Sequence, residues 1–207
     1  MSRDRWVDPY AGVPGPRVFV AVPLPAGAAA EVAEVVEVVR RSPLPVGARD
    51  VRWVRLDGLH LTLRFLGPIA AERVDATREA VERVAEGSGG PIAATLGGAG
   101  TFPPGGRPRT LWIGLRAGAT ELSVLAGRAS RELEAAGWPR DDRPFRAHLT
   151  LARSDGIGVG PLVADRLAAA MAERRIPCPI DRIGLFESIT GNGPARYESW
   201  LECPLRV

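Results

Sequence analysis

The sequence predicts an α+β fold with two pseudo-symmetric lobes, each a small, mostly antiparallel sheet with packed helices, around a central cleft. Three observations support this prediction. Strand-like segments and amphipathic helical segments are mixed along the chain. Several strand-like segments are separated by turns short enough for hairpins, which argues against a doubly wound parallel sheet. The tetrapeptide HLTL occurs twice, at 60–63 and 148–151, in corresponding places of the two halves.

Length and composition are typical of one globular domain. The chain has 207 residues, of which 45% are hydrophobic, enough to form a core. Residues 1–16 are charged and rich in proline and glycine, so we expect a flexible N-terminal tail before a single bilobal domain at 17–207. No apolar run approaches the roughly 20 residues of a membrane span, and no apolar core of a secretory signal is present. The two cysteines form no disulfide framework, and we expect a cytoplasmic monomer without membrane contact.

The basic residues of the chain are all of one type. The formal net charge is +3, and all 27 basic residues are arginine. A GC-rich genome would explain this overall preference, and a functional explanation is that the planar fork of arginine suits phosphate groups. Each arginine beside a candidate site therefore has to be argued separately.

The first half predicts strands and helices in alternation. Apolar runs rich in β-branched residues predict strands, and valines at helical spacing predict helices. Two arginines before a proline end the first helix, and Gly87 ends the second. A turn with the sequence LDG, at 56–58, joins the last two strands. The predicted strands are 17–25, 51–55 and 59–67, and the predicted helices are 26–43 and 69–87.

The second half repeats this mixture. Leucines and alanines spaced three and four apart predict its helices, and apolar runs bounded by Gly, Pro and Asp predict its strands. A loop at 103–109 and a turn at 189–194 separate neighbouring strands. The predicted strands are 91–102, 110–116, 145–153, 176–188 and 195–205, and the predicted helices are 119–137 and 161–175.

Each HLTL segment predicts one catalytic face. Side chains alternate along a strand, so His60 and Thr62 share one face and the leucines the other, and His148 and Thr150 are arranged in the same way. These are the only two histidines in the chain. If the lobes face each other, both His-Thr pairs line one cleft, with the leucines anchored in the core.

This arrangement has the parts needed to split a phosphodiester. One histidine can accept a proton from water while the other gives a proton to the leaving oxygen, because the ordinary histidine pKa lies near neutrality. Threonine hydroxyls add donors for the phosphoryl oxygens. Two histidines do not make a zinc site, and neither motif contains an Asp, Glu or Cys. We therefore expect no metal and no other cofactor.

The sequence resembles the two-histidine phosphoesterases, and within them the RNA 2′,3′-cyclic phosphodiesterases, also called 2′-5′ RNA ligases. The resemblance is carried by the segments RVFVAVPLP, RWVRLDGLHLTLRFLG, RPRTLWIGL, DDRPFRAHLTLAR and GPARYESW, which span nearly the whole predicted domain. It implies metal-independent hydrolysis of 2′,3′-cyclic phosphates on RNA ends or cyclic nucleotides to 2′-phosphates.

The resemblance also implies roles for individual residues. His60 matches the general acid for the leaving 3′ oxygen, and His148 matches the base for water. Arg153 matches an arginine that contacts the phosphate, and Phe65 matches an aromatic residue that can stack on a base. The phosphate would also be held by the two motif threonines, Thr62 and Thr150.

Strand alternation raises a difficulty for two of these residues. Phe65 and Arg153 each lie five positions after a motif histidine, on the opposite face of an ideal strand. They reach the cleft only if the strand twists, bulges or ends before them. Arg64 and Arg146 share the histidines' parity and are the more obvious phosphate neighbours by geometry alone, but the resemblance favours Arg153.

Three alternatives stay open at this point. The protein could be a non-catalytic module that binds RNA ends, although binding alone does not need both imidazoles. It could be an enzyme of the same superfamily that acts on another cyclic phosphate or on a 2′-5′ linkage, since substrate choice depends on loops. It could also be a metal hydrolase, whose activity a chelator would abolish.

Overall fold

The computed structural model describes residues 13–46, 51–155, 158–191 and 193–207. Within these ranges, four α-helices pack on one nine-stranded antiparallel sheet, which confirms the predicted α+β class. The expected tail at 1–16 lies largely outside the described residues. The strands are β1 (Arg17–Pro23), β2 (Arg52–Trp53), β3 (His60–Pro68), β4 (Ile92–Phe102), β5 (Thr110–Ala117), β6 (Leu149–Arg153), β7 (Ile176–Ile180), β8 (Arg182–Gly191) and β9 (Gly193–Pro204). The helices are α1 (Ala26–Arg41), α2 (Val74–Glu86), α3 (Ala119–Ala135) and α4 (Gly160–Met171).

The sheet joins the two lobes edge to edge. Its strand order is β7-β4-β5-β6-β3-β1-β8-β9, with β2 paired to β6 beside β3. One half contains β4 to β7, the other contains β1, β3, β8 and β9, and they meet where β3 pairs with β6. Strands β7 and β8 lie far apart in this order, yet only Asp181 separates them along the chain. The sheet must therefore curl, so that its two ends approach each other.

Each half is covered by a pair of helices. Helices α2 and α3 pack against each other and over β3, β8 and β9, whereas α1 and α4 pack against each other and over β4 and β7. The valine stripe predicted for α1 is buried, with Val32, Val35 and Val36 fully inaccessible to solvent. In the described ranges, no helix combines the length and apolar character that crossing a membrane requires.

The predicted hairpin at the first motif is wrong. Strand β2 pairs with β6 rather than with β3, and residues 56–58 form a short 3-10 turn. Both β2 and β3 are antiparallel to β6 and therefore run in the same direction, which a hairpin does not allow. The LDG segment therefore joins two strands that run in the same direction along β6, and the chain does not reverse there.

The strand predicted at 176–188 is two strands. Residues 176–180 pair with β4 in one half, and residues from Arg182 onward pair with β1 and β9 in the other. The carbonyl of Asp181 accepts a hydrogen bond from the amide of Leu205 at 2.8 Å, which holds the crossing point. The sequence contains no glycine there, so the apolar run gives no local sign of the change of partner.

Candidate active site

The two HLTL segments lie side by side on neighbouring strands. Leu61 of β3 pairs directly with Leu149, the first residue of β6. In an antiparallel ladder of this register, His60 lies across from Thr150 and Thr62 across from His148. Both leucines are buried, at 1% and 0% exposure, whereas the histidines and threonines are partly exposed. The structure thus brings the four polar side chains together on one face.

Both imidazoles are oriented by the same backbone contact. Nδ1 of His60 lies 2.7 Å from the carbonyl oxygen of Gly58. Nδ1 of His148 lies 2.7 Å from the carbonyl oxygen of Arg146. A carbonyl only accepts, so each Nδ1 carries a hydrogen and the neutral ring keeps an unprotonated Nε2. Each Nε2 is therefore the atom that can take up or release a proton in the cleft.

Aromatic rings hold His60 in place. The ring of Phe19 in β1 lies 4.7 Å from the His60 ring, centroid to centroid. The ring of Tyr197 in β9 also lies 4.7 Å away and meets His60 edge-on, with an interplanar angle of 82°. Tyr197 packs over Gly58, where an added Cβ would come within 2.7 Å of the Tyr197 Cδ2 atom. The glycine that accepts from His60 thus also makes room for Tyr197.

His148 has a corresponding aromatic surround in the other half. The ring of Phe102 meets it edge-on at 4.9 Å, and the ring of Trp112 lies 6.3 Å away. Trp112 in turn covers Gly100, where an added Cβ would lie 2.4 Å from a ring carbon. Each histidine is therefore confined by two aromatic side chains from strands distant in sequence.

These surroundings favour the neutral form of both histidines. Burial lowers the pKa of His60 below the ordinary value of 6.5, and the hydrogen bond to Gly58 partly offsets this. The positive charge of His148 lowers the pKa of His60 further. Burial also lowers the pKa of His148, opposed by the bond to Arg146 and reinforced by the charge of Arg153. Because a charge on one ring disfavours a charge on the other, the state in which both histidines are protonated is disfavoured.

A bulge in β3 changes which residues lie on the cleft face, the face of the sheet that carries both histidines. In the ladder with β1, Ala21 pairs with Thr62 and its neighbour Val20 pairs with Arg64, so Leu63 is an extra residue. An extra residue reverses the alternation beyond it. Phe65 therefore points to the cleft face, where it packs on the aromatic cluster around Phe19.

A second bulge lies at the equivalent place in β6. In the ladder with β5, Trp112 pairs with Thr150 and its neighbour Leu111 pairs with Ala152, so Leu151 is the extra residue. Arg153 is thereby returned to the face of Thr150. The bulge allows the second leucine of each HLTL segment to stay in the core while the fifth residue after each histidine reaches the cleft.

Contacts of Arg153 confirm its direction. Its Nη1 donates a hydrogen bond to the Thr110 hydroxyl at 3.2 Å. Its charge lowers the pKa of His148 and also acts on Tyr197, whose pKa is raised by burial and lowered by Arg153. The charge of the guanidinium group therefore acts on a residue in each half of the site, His148 and Tyr197.

Arg64 faces the opposite side, so the expectation from simple parity is wrong for this residue. Arg64 is 4% exposed, and its side chain donates to the carbonyl oxygens of Ser130, at 3.0 Å, and Pro139. It also contacts the Glu134 carboxylate at 3.3 Å. Arg64 therefore links β3 to α3 and to the loop that follows α3 through hydrogen bonds. Arg146 is exposed, with its guanidinium carbon 5.9 Å from the centre of the Phe102 ring.

The residues that surround the histidines were not anticipated as site residues. Phe19, Phe102, Trp112 and Tyr197 come from four strands spread over the chain. Phe19, Trp112 and Tyr197 lie inside the segments RVFVAVPLP, RPRTLWIGL and GPARYESW, which carry part of the resemblance, whereas Phe102 lies in none of them. Among the described residues, no group of three or more His, Cys, Asp or Glu side chains is arranged to hold a metal ion.

Comparison with known proteins identifies the family. The family model for the 2′-5′ RNA ligase superfamily matches residues 24–192. The chain belongs to this superfamily. The resemblance inferred from the HLTL segments and their surroundings is therefore confirmed.

Curated relatives in the superfamily share one name. The RNA 2′,3′-cyclic phosphodiesterase of Aeropyrum pernix is 36% identical over 146 residues, which are 70% of this chain and 81% of that protein. The Escherichia coli protein of the same name is 33% identical over 147 residues, 70% of this chain and 77% of its own length. The Archaeoglobus fulgidus protein is 36% identical over 107 residues, and that match spans 58% of its length.

Solved structures with the same fold are known. The structure of TT0787 from Thermus thermophilus aligns with a TM-score of 0.68 and 27% identity, covering 92% of this chain and 98% of that one. The E. coli LigT structure complexed with 3′-AMP aligns with a TM-score of 0.66 and 27% identity, covering 93% and 99%. The fold of this chain is thus shared with both of these structures.

Proposed function

We propose that the protein is a metal-independent phosphodiesterase that opens a terminal 2′,3′-cyclic phosphate on RNA, or on a nucleotide, to the 2′-phosphate. The observation that carries this proposal is the matched orientation of His60 and His148. Each Nδ1 is held by a backbone carbonyl, which leaves both Nε2 atoms for proton transfer. The relatives named RNA 2′,3′-cyclic phosphodiesterase support the choice of substrate.

In the proposed reaction, the two histidines work in opposite protonation states. Neutral His148 accepts a proton from water at Nε2 as the water oxygen attacks phosphorus. The bond from phosphorus to the 3′ oxygen breaks, and protonated His60 delivers its Nε2 proton to that oxygen. The products are a 2′-phosphate and a 3′-hydroxyl, with His148 protonated and His60 neutral. Proton exchange with solvent restores the starting state.

Three side chains would hold the phosphate during this step. The hydroxyls of Thr62 and Thr150 stand beside the histidines and can donate to phosphoryl oxygens as negative charge develops. Arg153, the last residue of β6, offers a charged guanidinium group with two parallel N–H donors. Phe65, on the cleft face beyond Thr62, would stack on the base of the terminal nucleotide. The acid and base roles follow the family resemblance, since the backbone contacts treat both histidines alike.

A direct assay tests the proposal. An oligonucleotide ending in a 2′,3′-cyclic phosphate is incubated, with chelator present, with the wild type, His60→Ala, His148→Ala and the surface control Arg140→Ala. The side chain of Arg140 is 79% exposed. We expect 2′-phosphate product from the wild type and the control, and a loss of roughly 10²- to 10⁴-fold in each histidine variant.

The alternative results of this assay would each contradict a different part of the proposal. A 3′-phosphate product would overturn the assignment of the leaving oxygen. Activity lost in chelator and restored by zinc or manganese would favour a metal hydrolase. Tight binding without turnover would favour the RNA-end binding module, and cleavage of a 2′-5′-linked dinucleotide alone would move the substrate to that linkage. The expected monomeric state and cytoplasmic location stay predictions, the first of which size-exclusion chromatography tests.

A further inference from the structure

A second arginine lies beside Arg153. The short ladder between β2 and β6 pairs Arg52 with Arg153 and Trp53 with Ala152. Trp53 packs against the main core, and Ala152 is fully buried in it. Because neighbouring residues of a strand point to opposite faces, Arg52 lies on the cleft face with Arg153. Directly opposed residues have Cα atoms about 5 Å apart, so the two side chains can serve adjoining groups of one ligand.

The described residues do not neutralise these two positive charges. Within the described ranges, neither Arg52 nor Arg153 forms an ion pair with a carboxylate. Arg52 is exposed to solvent, and Arg153 bonds to the neutral Thr110 hydroxyl. Like charges directly opposed across a ladder are destabilising. An anionic ligand with more than one negative group would relieve that repulsion.

The position of Arg52 places it at one end of the candidate site. Strands β2 and β3 follow each other along the same side of β6, so Arg52 and His60 lie on the same side of that strand. Tyr197 also lies at this end of the site. Its ring contacts His60, and the charge of Arg153 acts to lower the pKa of its hydroxyl. A ligand bound between the histidines therefore meets Arg52 next, on the side of the proposed acid.

We propose that Arg52 binds the phosphodiester on the 5′ side of the terminal nucleotide while Arg153 binds the cyclic phosphate. This inference rests on the proposed function. An RNA end offers both phosphates, whereas a nucleoside 2′,3′-cyclic phosphate offers only the second. The protein is then selective for RNA ends over mononucleotides, and Arg52 is the residue that confers this selectivity.

The test compares two substrates that differ by one phosphate. Adenosine 2′,3′-cyclic phosphate and an ApA dinucleotide ending in a 2′,3′-cyclic phosphate are assayed with the wild type, Arg52→Ala, Arg52→Lys and Arg175→Ala. Arg175 is an exposed arginine that bonds to carbonyls at the end of α4, and its variant removes the same charge elsewhere.

We expect Arg52→Ala to lower kcat/KM for the dinucleotide about 10- to 100-fold, through KM, because a charged hydrogen bond to phosphate is lost. The mononucleotide should be hydrolysed as well as by the wild type. The lysine variant should be intermediate, since it keeps the charge without the fork. The salt dependence of the dinucleotide KM should weaken by a slope of about 0.7, the value for one phosphate contact on a single strand.

Equal losses on both substrates would overturn the inference, because Arg52 would then act on the cyclic phosphate itself. Unchanged kinetics on both would overturn it as well. If the wild type turned over neither substrate, the proposed function would fall, and calorimetry with ApA carrying a terminal 2′-phosphate would test Arg52 alone. Binding weakened by Arg52→Ala but not by Arg175→Ala would still support the 5′-phosphate contact, and equal binding would refute it.

Discussion

Leu61 and Leu149 face each other across the bridge between β3 and β6, at the centre of the candidate site. A motif histidine precedes each leucine and a motif threonine follows it. One residue beyond each threonine, both strands carry a bulge, at Leu63 and Leu151. The two halves of the site are thus related by an approximate twofold arrangement around one pair of buried leucines, which gives the two imidazoles matched positions on opposite sides.

The lowered pKa values of His60 and His148 predict a pH optimum of kcat/KM on the acidic side of the ordinary histidine pKa. The proposed reaction needs neutral His148 and protonated His60. A lowered pKa of the base moves the rising limb of the pH profile to lower pH, and a lowered pKa of the acid moves the falling limb in the same direction. Because kcat/KM reports groups of the free enzyme, its bell-shaped profile should centre below pH 6.5, the ordinary histidine value. A wild-type profile with its falling limb above about pH 7 would contradict the predicted shifts.

A variant tests the assignment of the base. The charge of Arg153 contributes to the lowered pKa of His148. Its removal in Arg153→Ala should therefore shift the limb set by His148 toward higher pH and leave the other limb nearly in place. The pH dependence of kcat/KM for both proteins measures the shift. Movement of the falling limb alone would assign the base role to His60 instead.

Arg153 should also affect the strength of catalysis. Replacing it with alanine removes the guanidinium fork next to Thr110, and we expect kcat/KM for a cyclic phosphate to fall roughly 10- to 100-fold. Lysine should restore part of the loss through its charge alone. Steady-state kinetics with Arg140→Ala as the surface control measures the difference. A loss no larger than that of the control would remove Arg153 from the site.

Arg64 is predicted to matter for stability rather than catalysis. Its buried side chain bonds to the carbonyl oxygens of Ser130 and Pro139 and to Glu134. In Arg64→Met these acceptors lose their donor, and we expect the free energy of unfolding to fall by roughly 2–4 kcal/mol. Urea denaturation measures this, with the exposed Arg140→Met as control. The kcat/KM of the folded variant should equal that of the wild type, and a catalytic loss without destabilisation would contradict the assignment.

Tyr197 should support activity through the contact of its ring with His60 rather than through its hydroxyl group. Its edge contacts with His60 and Phe19, at 4.7 and 5.3 Å, restrict the imidazole. We therefore expect Tyr197→Phe to retain most activity and Tyr197→Ala to lose about tenfold in kcat/KM. Gly58→Ala should resemble the alanine variant, since its Cβ would displace the ring. If Tyr197→Phe were as impaired as Tyr197→Ala, the hydroxyl rather than the ring would be responsible.

Local pattern was enough for much of the fold and for the centre of the site. Amphipathic spacing predicted the four helices found in the described part of the chain, and their buried stripes agree with it. Alternation along HLTL placed His and Thr opposite Leu in both segments, because that alternation depends only on the backbone of a strand. The predicted strand at 145–153 begins at Leu149, so His148 lies just before it.

Tertiary pairing decided what local pattern could not. A bulge exists only relative to a partner strand, so the sequence did not show that Leu63 and Leu151 would turn Phe65 and Arg153 to the cleft and leave Arg64 in the core. The pairing of Arg52 with Arg153 likewise depends on β2 joining a strand that lies far along the chain. The sequence by itself determined two His-Thr faces. The curled sheet determined which arginines and aromatic rings surround them, because those contacts join residues that no local spacing relates.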